Sequence, residues 1–302
     1  MAESKSSDSS KMEKCFENYI LIDVGANLTN RKFSRNLESV VSRAKDAGVQ
    51  KIVVSTSSLK GSKEALRLSR IYPGTLYATA GVHPHEAKTW ADDTYEELKE
   101  IAMNCECVAI GECGLDYNKN FSPPEVQRQV FEQQVKLACQ LRKPLCIHER
   151  DAHDDVISIL EEHKSSLPPI VLYSYTGSLV NAKKYLNLGV YLCITGFLTK
   201  DSSEDGVQSL LEKNAIPLEQ LLVQTDSPFM YPNARAAKLP DRVKSALTER
   251  SLSFLHRYCT FQRNEPCSLP AIVEMVAAFL NKSPEDVALS TSFNALKLFG
   301  LS

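Results

Sequence analysis

The chain has 302 residues, of which 43% are hydrophobic and 24% are charged, so it is long enough to bury a large core. Its formal net charge of −2 excludes the overall basic field of proteins that coat nucleic acid or anionic membrane, and any phosphate contact must therefore be local. No apolar stretch of the sequence approaches the length of a membrane span, so we expect no membrane partner.

The N-terminal segment, MAESKSSDSSKMEK, is polar and rich in serine and lysine. Such a composition cannot bury enough apolar surface to fold, so we predict a disordered tail over residues 1–18. The segment also lacks the continuous apolar core of a signal peptide. This absence predicts a cytoplasmic protein and leaves nuclear entry open.

Nine cysteines occur without a CxxC pair. Cys146 and Cys193 lie inside apolar runs, which is typical of buried free thiols in a reducing compartment. Cys105, Cys107 and Cys113 are close enough in sequence to weigh as zinc ligands, but they would be spread along one strand and its approach. The pattern favours structural thiols and predicts no disulfide framework.

Short, nearly continuous apolar runs rich in β-branched residues recur along the chain and are typical of buried strands. Eight are predicted, at residues 19–27, 51–57, 76–84, 107–116, 144–150, 169–177, 190–197 and 221–228. Segments with helical spacing separate them, at residues 36–48, 62–72, 93–104, 123–143, 153–164, 179–189 and 206–215.

Strand and helix alternate throughout, and eight such units in about 250 residues match the size of an α/β (β/α)₈ TIM barrel. A doubly wound open sheet would usually need fewer strands and a glycine-rich first turn. No sequence repeat or linker interrupts the alternation, so we predict a single barrel domain over residues 19–302.

Polar side chains gather at the C-terminal ends of the predicted strands, where catalytic residues of such barrels lie, while the strand starts are apolar. They are Asp23, Asn27, His83, His85, Glu112, Asp116, His148, Glu149, Arg150, Thr225 and Asp226. Converging glutamate, aspartate and histidine side chains are ligands of divalent ions, whose charge offsets the cost of gathering carboxylates in a poorly hydrated site. We therefore predict a divalent metal site at this mouth, with Glu112 among its ligands.

The chain resembles the TatD family of metal-dependent hydrolases from about Ile20 to its C-terminus. The resemblance is carried by the ordered motifs GVHPHEAKTW, AIGECGLDYNKNFSPPEVQRQVF, IHERDAHDD, the YTG and ITGF turns, LLVQTDSPFMYP and RNEPCSLP. It implies a TIM-barrel phosphodiesterase that acts as a DNase, commonly a 3′ to 5′ exonuclease that needs Mg²⁺, with Mn²⁺ and Zn²⁺ as alternatives. Carried onto this chain, it makes Glu112, His148 and Asp226 metal ligands.

Some positions depart from the family pattern. Many members have an H-x-H motif where this chain has Gly25 and Asn27, as in the branch nearest the family's namesake. The family usually has a histidine at the end of strand six and ETD at strand eight, whereas this chain has Tyr173 and Gln224. A neutral phenol with an ordinary pKa of about 10 is a poor ligand for a divalent ion. We therefore expect weaker metal binding, with a single well-held ion or with lost catalysis.

The predicted chemistry is metal-assisted hydrolysis of a phosphodiester. Asp226 would accept or orient the proton of the attacking water, and His83 or His85 would contact phosphate or assist the leaving group. Glu112 would act with them by holding the ion.

Arg150, His153 and Asn27 are predicted substrate contacts at the mouth. For Arg150 and His153, structural roles such as a supporting charge or a helix start agree nearly as well with the spacing. The segment 231–263 looks like an insertion with a local charge of +5. We predict that its cations, among them Arg242, Lys244 and Arg263, clamp a nucleic acid strand, although a solvated helical face would show the same charges.

Two other functions remain open at this stage. The fold and the metal site do not by themselves select phosphodiesters, so a hydrolase of a small ester or amide is one alternative. A weakened or non-catalytic scaffold is the other, favoured by Tyr173 and Gln224. Glu112, His148 and Asp226 count against the scaffold. We expect a monomeric enzyme with DNA as its substrate and RNA as the alternative.

Overall fold

The computed structural model describes residues 21–301, so the predicted disordered tail at residues 1–18 lies outside the described residues. Eight parallel strands form one sheet in which each strand pairs with the next one in chain order. They are β1 (Leu21–Ala26), β2 (Val49–Val54), β3 (Leu76–Ala80), β4 (Cys107–Asp116), β5 (Leu145–Arg150), β6 (Ile170–Tyr173), β7 (Tyr191–Ile194) and β8 (Leu221–Val223). Just beyond β8, the Asp226 amide donates to the Gly25 carbonyl at 2.9 Å and brings the last strand against the first. The predicted (β/α)₈ barrel is confirmed.

Helices occur at all seven predicted places between the strands, and more follow β8. Those described are α1 (Leu37–Asp46), α2 (Leu59–Ile71), α3 (Thr94–Ala102), α4 (Pro124–Leu141), α5 (His153–Glu162), α6 (Leu179–Asn187), α7 (Val207–Glu212), α8 (Asp241–Lys244), α9 (Glu249–Tyr258), α10 (Leu269–Leu280) and α11 (Pro284–Phe299). Several begin where a serine or threonine side chain accepts a backbone N–H, as Ser178 does from Asn181 and Ser283 does from Asp286. None of the helices within residues 21–301 combines the length and apolarity that crossing a bilayer requires.

Two apolar clusters stabilise the barrel. The larger one lies between the strands and the surrounding helices. The smaller one contains alternate strand residues such as Val24, Cys146, Tyr173 and Leu222, with Phe299 from the end of α11. Side chains two residues apart lie on the same face of a strand, and in a barrel they alternate between the inside and the outside. The polar residues that continue this inward-facing set at the strand ends therefore face the barrel mouth.

The helices after β8 are held together by a buried carboxylate. Glu274 of α10 accepts hydrogen bonds from the Thr248 amide at 3.0 Å, the Thr248 hydroxyl at 2.7 Å and the Ser251 hydroxyl at 2.7 Å. Thr248 caps α9, so Glu274 ties the start of that helix to α10. Burial raises the pKa of Glu274 even though these hydrogen bonds favour the charged form.

This environment makes stability depend on pH. The folded pKa of Glu274 lies above the unfolded value of about 4.5, so its contribution to stability is full below that pH and is lost as the pH rises through the folded pKa. We expect Glu274→Gln to flatten this part of the profile. Urea denaturation of both proteins from about pH 4 to pH 8 measures it. If the stability of the two proteins changed with pH in the same way, Glu274 would have the same pKa in the folded and unfolded states, contrary to this prediction.

Candidate metal centre

A cavity of about 710 Å³ opens at the C-terminal mouth of the barrel. Its walls bring together most of the site residues predicted from the sequence, namely Asn27, His83, His85, Glu112, His148, Arg150 and Asp226. The walls also contain residues that the sequence did not single out, including Asn30, Thr56, Lys119 and Ser174. The volume is in the range of sites that enclose a small organic ligand.

His83 is positioned by the short helical turn Pro84–Thr89 that follows β3. Its Nδ1 accepts the backbone N–H of His85 at 3.2 Å, so in the neutral ring the proton is on Nε2. Burial, and then the charges of His148 and His85, hold the pKa of His83 well below its usual range. His83 therefore presents a neutral Nε2–H donor, 3.9 Å from Glu112 Oε1.

Asp116 connects two other histidines. Its Oδ2 lies 2.6 Å from His85 Nε2 and 3.2 Å from His148 Nε2, and Oδ1 accepts the Lys119 amide at 2.9 Å. Burial alone would raise the pKa of Asp116, but the hydrogen bonds from His148 and His85 outweigh it and hold the pKa below its usual range. The ionised carboxylate accepts a hydrogen bond from Nε2 of each ring, so each ring carries a proton on Nε2. In the neutral ring Nδ1 is then available to bind a metal ion.

The sequence predicts Asp116 at a strand end but indicates no particular role for it. Its spacing from Glu112 in IGECGLD was the available signal, because residues near the end of one strand reach the same mouth. The contact with His85, which comes from another strand end, could not be read from that spacing.

His148 lies between two carboxylates. Its Nδ1 is 3.4 Å from Glu112 Oε1, on the side opposite Asp116. Burial lowers the pKa of His148, but hydrogen bonds to Asp116 and Glu112 raise it to about 9. Two ligands of one ion, each bound at about 2.1 Å, lie roughly 3.0–3.5 Å apart, so this separation suits a shared metal that replaces the Nδ1 proton.

A second carboxylate completes the cluster. Burial, and then the negative charge of Glu112, raise the pKa of Asp226 well above its usual range, while the charge of His148 opposes this. Two carboxylates that repel each other in a poorly hydrated site are the expected surroundings of a bound cation. One nitrogen of each of His83, His85 and His148 lies within 4.8 Å of the others. This cluster of carboxylates and imidazoles is suited to a divalent metal ion, with the Nε2–H of His83 beside it as a donor.

The turn that carries Asp226 is fixed from two sides. Asp226 has a left-handed backbone with φ of +50°. On one side, Asp23 accepts hydrogen bonds from the Thr225 amide at 2.9 Å and from the Thr225 hydroxyl. On the other, the Asn264 side chain donates to the Thr225 carbonyl at 3.0 Å. Asn264 of the RNEP segment therefore holds the backbone next to Asp226.

Tyr173 and Gln224 are both buried, each 1% exposed. The Tyr173 hydroxyl donates to the Val24 carbonyl on β1. The Gln224 amide donates to Ser174 Oγ at 3.0 Å, and its Oε1 lies only 2.8 Å from the place where a Cβ on Gly25 would be. The glycine in β1 and the glutamine after β8 are therefore sterically linked, because a larger residue at position 25 would displace the amide.

We expect Tyr173 to act through packing and one hydrogen bond. Tyr173→Phe should lower the free energy of unfolding by about 1–2 kcal/mol, since the buried Val24 carbonyl loses a donor. Catalytic activity should stay within about twofold of the wild type. Denaturation and single-turnover cleavage measure the two effects. If the cleavage rate of the folded variant fell by much more than twofold, the phenol would have a role in the reaction.

The other predicted substrate contacts do not line the cavity. His153 begins α5 and packs against the Tyr185 ring, with ring centroids 4.8 Å apart. Arg242 pairs with Glu212 at 2.6 Å, and Lys244 pairs with Asp241 at 3.1 Å. Arg263 pairs with Glu265 at 3.2 Å and donates to Asn36 at 2.8 Å. The structure thus holds these four side chains with partners away from the metal centre.

Comparisons with known proteins agree with this architecture. The family model described as TatD related DNase matches residues 22–300. A 3′-5′ ssDNA/RNA exonuclease TatD from Citrobacter rodentium is 36% identical over 282 residues, which cover 93% of this chain and 98% of the relative. The TatD homolog YJJV from Escherichia coli has a TM-score of 0.78 at 26% identity, covering 93% of this chain and 98% of YJJV. A TatD family hydrolase from Entamoeba histolytica has a TM-score of 0.81 at 22% identity and covers 94% and 99%.

Proposed function

Because this chain belongs to the TatD-related DNase family, we propose that it is a metal-dependent exonuclease that removes nucleotides from the 3′ end of single-stranded DNA or RNA. The observation that carries the proposal is the cluster of Glu112, His148 and Asp226 at the barrel mouth, with Asp116 orienting His148. The curated relatives whose names state this activity match 93% of the chain.

The residues of the cavity have distinct tasks. A divalent ion held by Glu112, His148 and Asp226 would supply a Lewis acid and lower the pKa of a bound water. Asp226, in the cavity wall just beyond β8, offers a carboxylate oxygen that would take the proton from the attacking water. His83 offers its Nε2–H to a phosphoryl oxygen, and Arg150 in the cavity wall offers a further cation to the phosphate.

We propose Mg²⁺ as the working ion. The two carboxylates, Glu112 and Asp226, are the donors that Mg²⁺ and Mn²⁺ prefer, whereas the imidazole of His148 also suits Zn²⁺. A comparison of cleavage in Mg²⁺, Mn²⁺ and Zn²⁺ distinguishes these ions.

We further propose that the enzyme acts as a monomer in the cytoplasm. The free, buried thiols of Cys107, Cys146 and Cys193 support a reducing compartment. The DNA clamp predicted for residues 231–263 remains a proposal, with the exposed Arg242 and the half-buried Lys244 among its cations.

The test is digestion of end-labelled single- and double-stranded DNA and single-stranded RNA in Mg²⁺, Mn²⁺, Zn²⁺ or chelator. We expect stepwise shortening of single strands from the 3′ end, abolished by the chelator. A strand blocked at its 3′ end should resist digestion, whereas one blocked at its 5′ end should not. Cleavage that persists in chelator, or no cleavage with any ion, would contradict the proposal.

A further inference from the structure

Two exposed phenylalanine rings stand at the barrel mouth. Phe229 follows β8, lines the cavity and is 49% exposed, whereas Phe121 lies between β4 and α4 and is 56% exposed. β4 and β8 are four strands apart in an eight-stranded barrel, so their following loops face each other across the mouth. Aromatic side chains are common among the residues that line ligand sites.

Both phenylalanines lie beside residues of the candidate metal centre, Phe229 through its backbone and its place in the cavity wall, and Phe121 through its ring. The Phe229 amide donates to the Asp226 carbonyl at 2.8 Å. The Phe121 ring packs edge to face against His85, with centroids 4.8 Å apart and an interplanar angle of 86°. A flat group that stacked on either ring would therefore lie next to the reacting centre.

Cations accompany both rings. Lys32 Nζ lies 5.7 Å from the centroid of the Phe229 ring and also donates to the Gln262 carbonyl. Lys119 lies in the cavity wall, two residues before Phe121, and Arg150 lines the same cavity. Aromatic faces interleaved with positive charge are the means by which proteins hold single strands without reading their sequence.

We propose that Phe121 and Phe229 are stacking platforms for the two nucleobases that flank the scissile phosphodiester at the 3′ end of a single strand. This inference rests on the proposed nuclease function and names the groups that recognise the substrate. Bases in a duplex are already stacked and paired, so they cannot use the two faces without unstacking. The platforms thus select single strands and tolerate any base, because every base has a π face.

The test combines enzyme variants with a changed substrate. Phe121→Leu and Phe229→Leu keep apolar bulk but remove the ring. Binding of a labelled oligothymidylate is measured by fluorescence anisotropy in chelator, beside a strand whose two 3′-terminal nucleotides are abasic. On the intact strand, we expect each variant to bind at least about fivefold more weakly. On the abasic strand, wild type and variants should agree within about twofold.

Phe293→Leu is the matched control, because Phe293 is 64% exposed on α11 and is not among the residues of the cavity wall. It should bind both strands like the wild type. Circular dichroism melting verifies that the variants are folded.

The inference is overturned if the variants bind the intact strand with wild-type affinity, or if they lose affinity equally for the intact and the abasic strand. It is also overturned if the wild type does not bind the intact strand. Failure of the proposed function would instead appear as an absence of cleavage in the digestion assay. The binding measurement does not depend on hydrolysis, so the two failures are distinguishable.

Discussion

Asp226→Asn should lower the rate of metal-dependent cleavage by about 10²–10⁴-fold, the usual contribution of a positioned proton acceptor, with any lost metal binding adding to that. The amide has nearly the same shape as the carboxylate, so the turn that donates from the Asp226 backbone to Gly25 can remain. What is lost is the negative charge that faces Glu112 and the basic oxygen that takes the water proton. Single-turnover digestion of a labelled single strand measures the change.

The substitution should not unfold the protein. Without a cation, Asp226 and Glu112 repel each other, and this repulsion contributes to the raised pKa of Asp226. The chelated Asp226→Asn protein should therefore be at least as stable as the chelated wild type. Isothermal titration with Mn²⁺ should show weaker binding by the variant.

Asp154→Asn is the matched control, because the Asp154 side chain is 94% exposed on α5. It should cleave and bind metal like the wild type. If Asp226→Asn cleaved at the wild-type rate, the assignment of Asp226 as ligand and proton acceptor would be wrong.

Gly114→Ala should destabilise the barrel by about 3 kcal/mol or more. Gly114 has a φ of +130°, a backbone conformation that residues with a side chain rarely adopt, and a Cβ there would lie 2.0 Å from the His148 carbonyl oxygen. β4 and β5 pair at this point, so neither backbone can move away without breaking the pairing. Chemical denaturation of the two proteins measures the loss.

Gly74→Ala separates the cost of the backbone conformation from the cost of the steric contact. Gly74 also has a positive φ, +72°, but among the described residues no heavy atom beyond its two chain neighbours lies within 4 Å of a Cβ placed on it. Only the backbone cost of about 1 kcal/mol therefore remains. Gly114→Ala should exceed this cost clearly and should also weaken metal binding, since the residue it displaces is His148. Equal losses in the two variants would show that the contact with His148 can be relieved.

The sequence by itself determined the barrel and the location of its site. Eight short β-branched runs alternate with helical segments, and this pattern favours a barrel in which each strand lies beside the next and helices cover the outside. Because parallel strands all end at the same edge, polar residues at strand ends such as His83, Glu112, His148 and Asp226 had to meet at one mouth. This part of the prediction needed only local pattern and chain direction.

Tertiary structure alone decided which of those side chains touch. The bond from Asp116 to both His85 and His148 depends on the register between strands and on the turn after β3, which no local pattern encodes. The contacts of side chains on helices were harder to predict, because the face that a helix buries depends on the elements packed against it. His153 consequently packs on Tyr185, and Arg242 pairs with Glu212, although their sequence context had suggested the substrate. Direction along a strand is fixed locally, whereas the partner of a side chain is fixed by packing between distant segments.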